Sequence, residues 1–159
     1  MSEPLTLMAI PLGDELVADR CDAIQAVADG TAFGPGDAQL QLGAGTPRFY
    51  VMELAHRQPL VKLITRHQRV TQCLASADGH PFWIALAPPE QQGELIATAS
   101  LQLVRVEPGE AIALHCGTWH AGPFFREPSA RFFNLELADT NSSDHHSRPL
   151  DRPVQLQLS

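Results

Sequence analysis

Two histidines and a tryptophan fall close together in the run His115-Cys116-Gly117-Thr118-Trp119-His120. An imidazole titrates near neutrality, so a histidine held in a cavity can take up or deliver a proton, or bind a metal ion. The residues just before this run indicate how such a cavity would be supported. Pro108-Gly109 makes a turn, residues 111–116 read as a strand, and Gly117-Thr118 makes a second turn. Period-two alternation sets Ala111, Ala113 and His115 on one face and Ile112, Leu114 and Cys116 on the other. The two alanines leave room beside His115, while His120 begins the next strand on a rigid support. His115 and His120 are therefore candidate functional residues, with Trp119 as a candidate pocket wall.

Strands must hold these side chains, and the chain offers many short ones. Residues 5–12 read as a strand stopped by proline, and residues 13–20 as the start of a short helix with Asp14 as its cap. A Gly-, Ala- and Pro-rich lead-in covers 28–47. Strand candidates follow at 48–54, 70–75, 82–87, within 95–106, at 111–116 and at 131–137. Residues 82–87 are almost continuously apolar, as in a strand buried on both faces. Past Asp139 the chain turns polar, and the adjacent pair His145-His146 is assigned to a solvated tail. The expected organisation is a single domain over 1–159. It comprises an amino-terminal extension and lead-in at 1–47, a barrel core at 48–137 and a polar tail at 138–159.

Composition narrows the function classes. The 159 residues include 44% hydrophobic and 18% charged side chains, which suits a globular domain. Thirteen prolines and eleven glycines favour short strands over a helical bundle. A net charge of −7 and a pI near 5.4 argue against nucleic acid as a partner, because a phosphate backbone needs clustered cations. No run is long and apolar enough to span a bilayer, and Met1-Ser2-Glu3-Pro4 carries no leader features, so no membrane partner and a cytoplasmic location are expected. Cys21, Cys73 and Cys116 fit no zinc spacing and read as idle thiols.

The segment from Pro108-Gly109-Glu110 through the strand to Gly117-Thr118-Trp119-His120 resembles the second conserved motif of cupins. The resemblance implies an all-β fold, a cupin-type double-stranded β-helix or small β-barrel, with His120 at a metal-binding histidine position. The first cupin motif corresponds to Thr65-Arg66-His67-Gln68-Arg69-Val70-Thr71-Gln72. There His67 takes the second histidine position, while Thr65 and Gln72 replace a histidine and a glutamate. Threonine and glutamine are poor partners for a borderline ion, so a divalent metal held by His67, Gln72 and His120 would be weakly bound.

A narrower resemblance comes from Arg66-His67 with Thr71-Gln72, Pro81-Phe82 with Ala87-Pro88, and His115 with Trp119-His120. Together with residues 7–12 these are similar to the ureidoglycolate lyase family, long called ureidoglycolate hydrolases, over about residues 5 to 137. The chain departs from that family at Arg66, where an acidic residue is usual, and after His120, where Ala121-Gly122-Pro123 follow. The resemblance implies a carbon–nitrogen lyase that splits a ureido-substituted hydroxy acid into glyoxylate and urea, a step of allantoin and purine breakdown. His115 and His120 would exchange protons, with Gln72 and Trp119 contacting substrate. Arg48 and Arg66 are the cations to test against the substrate carboxylate. The family and fold also imply a homodimer. The alternative is a catalytically silent cupin that binds a small carboxylate as a sensor or carrier.

Overall fold

The computed structural model describes residues 3–159; Met1 and Ser2, the first residues of the expected leaderless amino terminus, lie outside that range. The chain runs through β1 (Leu5–Leu7), β2 (Ala9–Pro11), a 3-10 turn (Glu15–Val17), β3 (Cys21–Ile24), β4 (Pro47–Ala55), β5 (Leu60–Arg66) and β6 (Gln72–Ser76). It continues through β7 (Phe82–Ala87), a second 3-10 turn (Thr98–Ser100), β8 (Gln102–Val106), β9 (Ala111–Leu114) and β10 (Trp119–Phe124). The last elements are β11 (Ser129–Leu137), the short helix α1 (Thr140–Ser143) and β12 (His146–Leu156). The expected all-β fold is observed. No helix among the described residues is long and apolar enough to cross a membrane.

The strands form two sheets, one of seven in the order β1-β12-β5-β10-β7-β8-β2 and one of five in the order β3-β9-β6-β11-β4. Only Met8 separates β1 from β2, yet these strands lie at opposite ends of the seven-strand order. The sheet must therefore curl until its two edges nearly meet, which makes it a nearly closed barrel. The single strand expected over residues 5–12 is thus split between two edges.

Strand β7 is the hinge of the packing, because every one of its residues is buried. Its alternation feeds two cores. Phe82, Ile84 and Leu86 join Leu74, Ile112, Phe125 and Phe132 between the two sheets. Trp83, Ala85 and Ala87 join Ile64, Ile96, Leu103, Trp119 and Val154 on the other side of the seven-strand sheet. At the start of the chain, Asp14 caps the first 3-10 turn, accepting from the Leu16 amide at 2.9 Å.

The expectation of a polar tail over 138–159 is corrected. Residues 146–156 form a strand inserted between β1 and β5, and Leu150, Val154 and Leu156 are buried in the second core. Pro149, Pro153 and the charged Arg148, Asp151 and Arg152 mask the strand pattern in the sequence. The structure accommodates the two prolines at a register shift between Pro149 and Val154. The segment 1–47 is likewise no separate extension, since β1, β2 and β3 each pair within a sheet.

Candidate functional site

The inner face of the five-strand sheet changes character along its strands. On β11 the inward residues run Ala130, Phe132, Asn134, Glu136; on β4 they run Leu54, Met52, Tyr50; on β6, Leu74 is followed outward by Gln72. The apolar members close the inter-sheet core. The polar members line a cavity of about 440 Å³ with Thr65, His67, His120 and His145 opposite them. Arg57, in the β4–β5 connection, lines the same cavity.

Pairing of β10 with β5 sets His120 opposite Thr65, and His67 follows two residues later on the same face. The His67 and His120 rings lie 5.1 Å apart between centroids, and the His67 and His145 rings 5.6 Å apart. The two hairpins are tied at this point by the Gly117 amide, which donates to the His67 carbonyl at 2.7 Å. Gly117 has φ 84°, so the turn that delivers Trp119 and His120 needs a residue without a side chain.

His67 is oriented from the carboxyl-terminal segment. Its Nδ1 lies 2.6 Å from the Asp144 carbonyl oxygen. A carbonyl only accepts, so Nδ1 carries the hydrogen and Nε2 is the bare nitrogen of the neutral ring. The buried Asp144 carboxylate also accepts from the Gln68 and Arg69 amides at 2.9 and 2.8 Å, which locks the loop after β5. Burial lowers the pKa of His67. Burial, reinforced by neighbouring His67, pushes His120 down to about 3. Both rings therefore stand neutral at physiological pH, as proton acceptors rather than donors.

Facing the histidines is a hydrogen-bonded chain of amides ending on a carboxylate. Asn134 Nδ2 donates to Glu136 Oε1 at 3.0 Å, and the Tyr50 hydroxyl donates to the same oxygen at 2.7 Å. Gln72 Nε2 donates to Asn134 Oδ1 at 3.1 Å. Gln72 Oε1 is buried without a partner among the described residues. Arg57 likewise has no carboxylate partner among them. Its guanidinium rests on the Phe124 ring, 4.7 Å from the centroid, and its pKa is lowered by burial.

The expected site residues divide into two groups. His67, Gln72 and His120 converge on the cavity. His115, Trp119, Arg66 and Arg48 do not line it. His115 shares a face with Ala111 and Ala113, but that face is the outer side of the five-strand sheet, because Ile112 and Leu114 fill the core. There His115 Nε2 meets Asp22 Oδ1 at 2.9 Å. Trp119 is buried in the second core, donates to the Gln91 carbonyl and carries Arg66 on its ring at 4.5 Å. Neighbours along a strand point to opposite faces, so a cavity that takes His67 and His120 excludes Arg66 and Trp119. Arg48 stacks on the Tyr50 ring at 3.7 Å.

Several cavity residues escaped the sequence reading, Arg57, His145, Glu136, Asn134 and Tyr50 among them. Arg57 sits in a connection with no motif around it, and His145 was assigned to the tail with His146. Only His145 of that pair lines the cavity; His146 lies 3.5 Å from the Asp144 carboxylate. Glu136 lies in no motif; alternation puts it on one face with Asn134 without telling that this face is the inner one.

As a metal centre the donor set is incomplete. No three His, Cys, Asp or Glu side chains among the described residues are placed to hold an ion. Gln72 would have to supply the third donor beside His67 and His120 as a neutral amide oxygen. The cysteines are free, and burial pushes Cys21 up to about 12 and Cys73 to about 11, which keeps both as unreactive thiols. Comparisons with known protein families and with curated proteins find no match for this chain.

Proposed function

We propose that the cavity binds a small carboxylate bearing a ureido group and splits it as a ureidoglycolate lyase does. The observation that carries this reading is the pairing of an uncommitted cation, Arg57, with neutral imidazoles and an unpartnered amide oxygen in one small cavity. Ureidoglycolate offers a complement to each. Its carboxylate suits Arg57, its hydroxyl suits a bare imidazole nitrogen, and its N–H groups suit Gln72 Oε1.

The chemistry needs one mobile proton. The hydroxyl O–H bond breaks as an imidazole takes the proton, and the released electron pair forms the aldehyde carbonyl of glyoxylate. The carbon–nitrogen bond breaks with its pair going to the ureido nitrogen, which then takes a proton and leaves as urea. Since His67 and His120 both start neutral, the imidazolium formed in the first step is the acid for the second. His67 is the better placed base: its Nδ1–H is anchored on Asp144 and its Nε2 is free. His120 and His145 flank it.

The test follows glyoxylate and urea released from racemic ureidoglycolate by purified protein, with and without chelator. Equal release of both products, unaffected by chelator, is expected. Binding without release would assign the protein to the silent carboxylate-binding class. Neither binding nor release by folded protein would overturn the reading.

A further inference from the structure

We propose that Glu136 sets the hydrogen-bonding sense of Gln72 and thereby makes the cavity select ligands that present N–H donors. This rests on the cavity being the ligand site. The inference follows from the polarity of a chain of three side chains. Glu136 Oε1 stands as an acceptor, taking the Tyr50 hydroxyl bond as well, so the Asn134 group nearest it must be its NH2. That turns Asn134 Oδ1 toward Gln72, and an amide oxygen also only accepts. Gln72 must then offer its NH2 to Asn134, leaving Oε1 on the other side. Tyr50, donating to the same Glu136 oxygen, holds the end of the chain in place.

The result is an acceptor that none of the described residues satisfies. Gln72 is 8% exposed, and its Oε1 is buried without a partner. A buried acceptor of this kind is costly when left alone, and a ligand N–H removes the cost on binding. An amide by itself is indifferent to sense, because it can turn over and offer NH2 instead. Glu136 removes that indifference from two residues away. A ligand with a terminal amide or ureido NH2 is accepted, whereas one with an ether or ester oxygen there meets oxygen against oxygen.

Isothermal titration of two non-reactive probes tests this. Ureidoacetate carries a terminal NH2; N-(methoxycarbonyl)glycine has the same carboxylate and carbonyl with a methoxy group in that place. The wild-type protein is expected to favour ureidoacetate by about tenfold or more. In Glu136→Gln the new amide can donate, Asn134 and Gln72 are free to turn, and the preference should shrink to about twofold. Asn134→Leu removes the acceptor that holds the Gln72 NH2, so the Gln72 amide can turn and the preference should shrink likewise, which also decides the matter if Glu136→Gln does not fold. An unchanged preference in either folded variant would overturn the relay while leaving the ligand site standing. Equal binding of both probes by wild type would overturn donor selection alone. Binding of neither would overturn the ligand-site reading as well.

Discussion

The space between the two sheets has two ends built from the same strands, and they differ in what their inward positions carry. At one end Phe132 packs edge-on against Phe82, with ring centroids 5.2 Å apart, and lies 5.7 Å from Phe125. At the other end the next inward residue of β11 is Asn134 and the one after it Glu136, within a cavity. Strand β11 pairs with β4 without a break from Ser129 to Leu137, so along that strand the ends differ only in side-chain type. On the opposite sheet the cavity end also carries the register shift of β10 between Ala121 and Phe124. Where apolar groups face each other they close the gap; where amides and a carboxylate bond laterally to one another, a space is left. This fold makes its site where its core is interrupted, and the connections at that end add Arg57, His67 and His145.

Substitutions at the two ends should therefore separate stability from ligand binding. The largest effect is expected for Phe132→Ala in the closed end, which should cost about 4 kcal/mol in chemical denaturation. A loss below about 1 kcal/mol would mean that this end is not close-packed. In the open end, Arg57→Met should weaken carboxylate binding about a hundredfold, with Arg57→Lys intermediate and neither shifting the melting temperature much. Equal affinity in both variants would remove Arg57 from the binding site.

Acid provides a third discrimination. His120 has its folded-state pKa far below its unfolded value, so the unfolded chain binds the extra proton first as pH falls. Stability is then full above about pH 6.5, declines below it, and keeps declining until the folded pKa near 3 is reached. Between pH 6.5 and 5 the loss should be roughly 2 kcal/mol, with His67 adding to it in the same direction. His120→Gln should flatten this limb; an unaltered limb in melts across that range would place the acid sensitivity elsewhere. The smallest effect is expected for Gln72→Met. It exchanges one hydrogen bond for the removal of an unpartnered acceptor, so stability should stay within about 1 kcal/mol while ureidoacetate affinity falls.

The sequence made some of this legible and hid the rest for identifiable reasons. The doubly buried β7 and the Gly117 turn follow from local pattern, because periodicity and turn chemistry act over a few residues. His67, Gln72 and His120 were legible as a group only through the resemblance to the two cupin motifs, since residues 60–66, which became β5, were not read as a strand. His115 was misplaced although its alternation was correct, since alternation names two faces without telling which one is inside. Strand β12 was hidden by prolines that its register shift accommodates, and with it went His145 and the Asp144 anchor. Arg57 left no local signal, because what places it in the cavity is the distant packing of β10 against β5.

The bond from His67 to Asp144 also has a temporal consequence. Its partners are 77 residues apart in the chain, so during synthesis the imidazole emerges long before the carbonyl that orients it. Pairing of β1 with β12 is likewise a contact between early and late residues. The His67 ring is therefore fixed in direction only once the segment carrying Asp144 has docked. A chain made only as far as β11 holds a histidine without that anchor.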